Sequence, residues 1–131
     1  MKKTVQLLIV FMLSMRIDAV NQNLIVSDTF PQKLSEFHFF VDGSAQIPHS
    51  DVIPYELIST LFSDYSYKQR WVYVPKNTKA QYQENWVFDF PIGSALIKTF
   101  YYPIDERNPE LGKKLLETRL LLRKESGWEA V

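Results

Sequence analysis

The chain has no cysteine, yet it begins like a protein bound for the outside of the cell, where disulfides are the usual reinforcement. Met1-Lys2-Lys3 is a positive start, Thr4 to Met15 an apolar run of about a dozen residues, and Ala19 a small residue at which a signal peptidase could cut. The run is too short to cross about 30 Å of hydrocarbon as a helix, and Arg16 and Asp18 close it with charge. The expectation is a cleaved signal peptide and a product in the periplasm or at the cell surface, with an uncleaved anchor as the alternative. Without cysteine, the exported body has to be closed by burial alone. It also cannot carry a lipid on a cysteine or attach haem through CxxCH.

A signal peptide over 1–19 leaves roughly 110 residues, the size of one domain that buries about two-thirds of its unfolded surface. Residues 20–29 are polar with a small apolar patch and read as a linker, so the domain is expected over 30–131. Fifteen basic and fifteen acidic residues give a formal net charge of zero, which offers no global field to attract nucleic acid or an anionic membrane.

Asp28-Thr29-Phe30-Pro31 is a helix-start pattern, and the spacing of Leu34, Phe37 and Phe40 or Val41 predicts a helix of about two turns ended by Asp42-Gly43-Ser44. Pro48 and Pro54 punctuate the next stretch, which is expected to run extended over the surface. Tyr55 to Lys68 mixes helical spacing with serine interruptions and predicts turns or a short helix. Trp71 to Val74 and Ala80 to Tyr82 predict strands around a Lys76-Asn77-Thr78-Lys79 turn, and Ala95 to Tyr102 alternates as a strand closed by Pro103. Asn108-Pro109-Glu110 opens like a helix. The run from 113 to 124 is rich in helix formers, yet Leu116, Thr118, Leu120 and Leu122 alternate as in a strand before Ser126-Gly127, so the residues leave both forms open.

Three runs carry a resemblance: LSEFHFFVDGSAQIPHSDVIPYELISTLFSDYSYKQRWVYVP, FDFPIGSALIKTFYYP and LLETRLLLRKESGWEAV. From Leu34 to Val131 the chain resembles the N-terminal domain of a family of exported bacterial proteins whose longer members continue into a diheme c-type cytochrome region. The resemblance implies export, a mostly β domain and, in complete members, electron transfer by haem bound further along. It favours strand for 113–124, with Trp128 to Val131 as a returning strand, and implies that the chain is truncated at its C-terminus. With no cysteine here, haem chemistry carries over to no residue.

Among candidate sites, His38 and His49 are the only histidines and have no cysteine to complete a metal set. His38 reads as a partly buried or helix-surface residue and His49 as a loop residue. Asp64 follows Ser63 and precedes Lys68 and Arg70; it is expected to cap a turn or to pair with one of those cations. Lys98 and Arg119 fall mid-strand, where they mark a solvated face or pair with Glu117. No GxSxG and no phosphate-binding glycine loop occurs. The aromatics crowd the predicted strands and are mostly core, with Trp71, Tyr101 and Trp128 as those that can reach the surface.

The expected fold is mainly β, an antiparallel β-sandwich or partly open barrel with one or two short helices. The expected role is a non-catalytic exported accessory or interaction domain with no cofactor of its own, whose partner is a haem-bearing domain or another exported protein. Trp71, Tyr101, Trp128, Asp64 and Arg70 are the candidate interaction surface. A carbohydrate-binding module using exposed aromatics is the alternative, followed by a carboxylate-based hydrolase.

Overall fold

A computed structural model describes residues 18–131, so all but the last two residues of the expected signal peptide lie outside the described residues. The chain forms α1 (Gln22–Val26), β1 (Phe40–Asp42), β2 (Ile47–Pro48), β3 (Val52–Pro54), β4 (Tyr67–Tyr73), β5 (Ala95–Pro103), β6 (Lys113–Lys124) and β7 (Gly127–Ala130), with single 3₁₀ turns at Leu34–Phe37 and Pro109–Leu111. β1 and β2 pair as a small antiparallel ribbon. β3 to β7 form a five-stranded antiparallel meander in sequence order, open rather than closed into a barrel. The mainly β fold with short helical pieces is therefore the one observed.

Alternation along the three central strands builds the sheet, because side chains on a strand point to opposite faces with a period of two. Trp71 pairs with Ile97, and Ile97 with Leu120; one rung further, Tyr73, Ala95 and Leu122 line up in the same way. These six are buried, and α1 and the 34–40 segment close over them through Val20, Ile25, Phe37 and Phe39. The Phe37 and Phe39 rings stack at 5.2 Å, and Phe40 meets Trp71 edge-on at 5.1 Å. On the next rung of this face the hydroxyls of Thr99 and Thr118 bond to each other at 2.7 Å, satisfying two polar groups in the sheet. Phe100 and Tyr101 mark a bulge against β6, which re-aims the strand's last residues.

Several expectations are corrected. The stretch 20–29 is not a linker: Val20 and Ile25 belong to the core, and α1 is held by the bond from Asn21 N–H to the Phe37 carbonyl at 3.0 Å. Its apolar patch is short, but it is what covers the sheet. The two-turn helix after Asp28 reduces to the 3₁₀ turn at Leu34–Phe37, which ends where His38 takes a left-handed conformation, φ 58°. Phe37 and Phe39 both face the core, a spacing of two that a helix cannot serve, so the chain leaves the turn as a strand.

Ala80 to Tyr82 is not a strand; Gln81 makes only an isolated bridge to Asp89. The proline-punctuated stretch is extended as expected, yet β2 and β3 lie in it, with Pro48 and Pro54 at strand ends where a missing N–H does least harm. Of the Tyr55 to Lys68 stretch, 55–66 forms turns while Tyr67 and Lys68 already belong to β4, and 113–124 is a twelve-residue strand. β7 returns beside Leu121 to Lys124, and Val131 exchanges two backbone bonds with Leu120. From Lys113 to Arg119 the outer edge of β6 has no strand beside it among the described residues.

Candidate functional site

The rung that buries Trp71, Ile97 and Leu120 has a neighbour aimed the other way. Arg70 stands opposite Lys98, and Lys98 opposite Arg119, so three cations cross β4, β5 and β6 in one line on the outer face of the sheet. Like charges directly opposite each other weaken a sheet. The next outward rung is Lys68, Phe100 and Glu117. Three cations gather round the Phe100 ring: Lys98 Nζ and Arg119 Cζ at 4.9 Å from its centroid, and Lys68 Nζ at 6.0 Å. Such contacts recover part of the repulsion, about 0.5–1 kcal/mol each where exposed.

The 55–66 segment arches over this face and is tied at both ends. Tyr55 N–H donates to the Arg70 carbonyl at 3.1 Å, and Lys68 Nζ donates to the Leu61 carbonyl at 2.6 Å. At its tip Asp64 and Tyr65 both have positive φ, 42° and 59°, and Ser66 N–H closes onto the Ser63 carbonyl at 2.8 Å, the geometry of a type I′ turn. Tyr102 Oη holds the tip from β5 through the Asp64 carbonyl, 3.1 Å away. Between arch and sheet lie adjoining clefts of about 590, 340 and 680 Å³. Arg70 lines all three, and Lys98 and Arg119 line the second and third. The apolar wall is Leu57, Leu61 and Phe62, all exposed.

The electrostatics of this floor are one-sided. Arg70 is 6% exposed, and its nearest carboxylate, Glu56, is 3.9 Å away on a side chain that is 81% exposed. Arg119 is paired with Glu117 at 2.5 Å. Lys98 has no carboxylate within salt-bridge distance among the described residues. Burial first, and then Arg70, Arg119 and Lys68, push its pKa down against the weaker pull of Glu117. Chemically, such a floor is suited to accept an anion.

The five candidate surface residues do not gather at one place. Arg70 and Tyr101 line the first cleft, Tyr101 half-buried beside Tyr67 at 5.6 Å and Lys113 at 5.3 Å. Trp71 faces inward, because positions 69, 71 and 73 of β4 point to the core; it is 3% exposed and belongs to the packing rather than the surface. Trp128 is 39% exposed at the far end of the sheet, edge-on to Phe90 at 5.7 Å. The Asp64 side chain is paired with neither Lys68 nor Arg70; it serves its turn through its backbone.

His49 is buried, and its Nδ1 accepts the Asp51 backbone N–H at 3.1 Å; His38 Nδ1 lies 3.1 Å from the Ala19 carbonyl. The sequence leaves Lys98 and Arg119 either on a solvated face or paired with Glu117, and does not mark them as a site; Arg119 makes that pair and Lys98 does not. Three charges at mid-strand in three different strands are the signal that could have found them. The chain matches no protein-family model, no curated protein and no solved structure.

Proposed function

We propose that this chain is a non-catalytic accessory domain, working outside the cell, that docks a partner protein on the open face of its five-stranded sheet. The observation that carries this reading is the asymmetry of the sheet. One face is closed by α1 and the two core phenylalanines, while the other is floored by Arg70, Lys98 and Arg119 and overhung by an arch whose Leu61 and Phe62 are 82% and 73% exposed. Apolar side chains left open beside a charged floor are the composition of a partner surface rather than of a solvated one. The partner in this reading is a haem-bearing domain or another exported protein.

Carbohydrate binding finds less support. The rings of Tyr82, Phe88, Phe90 and Trp128 run in a string, but successive rings meet at 65°, 64° and 75°, edge to face, which gives a sugar no flat row to stack on.

The test is site-directed photocrosslinking in the producing cell. A photoreactive residue at Phe62 is expected to give one discrete adduct that the same residue at Val41, exposed on β1, does not give. No adduct from position 62, or the same adducts from both, contradicts the reading.

A further inference from the structure

We propose that the rung of Arg70, Lys98 and Arg119 is a carboxylate-binding site, and that it takes an acidic segment of the docked partner whose Asp or Glu side chains are flanked by apolar residues. This rests on the docking reading above and adds the chemistry of the partner.

Three independent features lead to it. First, the local charge does not close. Lys68, Arg70, Lys98 and Arg119 line the clefts with three carboxylates, Glu56, Glu106 and Glu117; Glu56 stands mostly in solvent and Glu117 is already paired with Arg119. The chain as a whole is neutral, so the excess is a feature of this face and not of the molecule, which weighs against a long polyanion.

Second, Arg70 is nine-tenths buried and, among the described residues, donates no side-chain hydrogen bond. A guanidinium carries five N–H donors in a planar fork that matches a carboxylate in two parallel bonds. The fork's nitrogens are not among the solvent-excluded unpaired polar atoms, so they remain open to the clefts, where a carboxylate could meet them in two bonds. Lys98, one strand away, supplies a second cation, its pKa lowered first by burial and then by the neighbouring cations, whose repulsion an incoming anion would offset.

Third, the clefts are not polar throughout. Leu57, Leu61 and Phe62 wall them, and Leu96 and Leu121 continue the floor one rung beyond the cations. A free inorganic anion has no use for these side chains, whereas a peptide alternating acidic and apolar residues fills both kinds of position.

The experiment uses the folded chain and a fluorescein-labelled peptide of alternating Glu and Leu, followed by fluorescence anisotropy, with a Gln-for-Glu peptide as control and inorganic phosphate as competitor. The Glu peptide is expected to bind at least about tenfold more tightly than the Gln peptide, and Lys98→Met or Arg119→Met to weaken it by at least about tenfold. Lys98→Met is also expected to raise the thermal midpoint, because it removes the central charge of the like-charge rung. A lysine that merely supported the fold would not combine higher stability with weaker binding.

Equal binding of the two peptides, no loss in Lys98→Met, or full displacement by millimolar phosphate overturns the assignment. If the adduct at position 62 forms while the Glu peptide fails to bind, this assignment falls and the docking reading stands. If the peptide binds while no adduct forms, the carboxylate-binding chemistry of the rung stands, and its assignment to a docked partner falls with the docking reading.

Discussion

Alanine in place of Ile25 is expected to destabilise the domain by about 2–5 kcal/mol, measured by urea unfolding. Ile25 is fully buried, and it is the one residue of α1 that seals the inner face of the sheet. α1 has only five residues and no side-chain cap at either end, so it has no helical stability of its own and exists because the sheet beneath it is apolar. Removing its anchor therefore leaves a cavity and releases the segment that covers Leu120 and Leu122. The neighbouring Val26, 41% exposed, is the control: Val26→Ala is expected to stay within about 0.5 kcal/mol. Equal effects at the two positions would mean that 20–26 is a tether and not part of the body.

Trp71→Ala is expected to cost still more, about 3–5 kcal/mol, which is a large share of the roughly 5–15 kcal/mol available to a domain of this size. The indole lies between Pro54 and Ile97 in the sheet and receives Phe40 edge-on from the 34–40 cover. It joins β3, β4, β5 and the cover in one contact set, and nothing covalent stands behind it. Trp128→Ala, by contrast, removes a ring that is more than a third exposed and meets Phe90 edge-on, and is expected to change stability by no more than about 1 kcal/mol. Parallel urea titrations of the two variants make the comparison, and a Trp71→Ala loss as small as that of Trp128→Ala would contradict the burial described.

The central strands were legible because their signal is local. In β4 the contiguous branched and aromatic run Trp71 to Val74 favours a strand, and in β5 the side chains alternate with a period of two. β6 was less legible for an equally physical reason: Leu115, Leu116, Glu117, Arg119 and Leu120 are good helix formers, and only pairing with β5 on one side and β7 on the other selects the strand. The misread segments are those where tertiary contact overrides a short pattern. Leu34, Phe37 and Phe40 have helical spacing, but the core takes Phe37 and Phe39; Val20 and Ile25 sit in a polar stretch that looks like a tether until the sheet needs a cover.

The candidate site was half legible. Lys98 and Arg119 are visible as charges inside strand patterns, and Arg70 as a charge at the edge of one and among the candidate surface residues. That the three occupy a single rung depends on the register between strands far apart in sequence, set by the turns and by the bulge at Phe100, which no local pattern reports. The arch over them is still harder to read. Its exposed Leu61 and Phe62 have the composition of a core helix, and only the bonds from Lys68 and Tyr55 show that they stand above the outer face instead.

The central claim is a register: core residues and cations occupy adjacent rungs on opposite faces of one meander. Nuclear Overhauser contacts across β4, β5 and β6 in solution test it most directly. The account predicts cross-strand backbone contacts from Lys98 to both Arg70 and Arg119, with side-chain contacts from Ile97 to Trp71 and Leu120. Sequential helical contacts through Lys113 to Lys124, or a pairing shifted by one residue so that Arg119 faces Ile25, would contradict it.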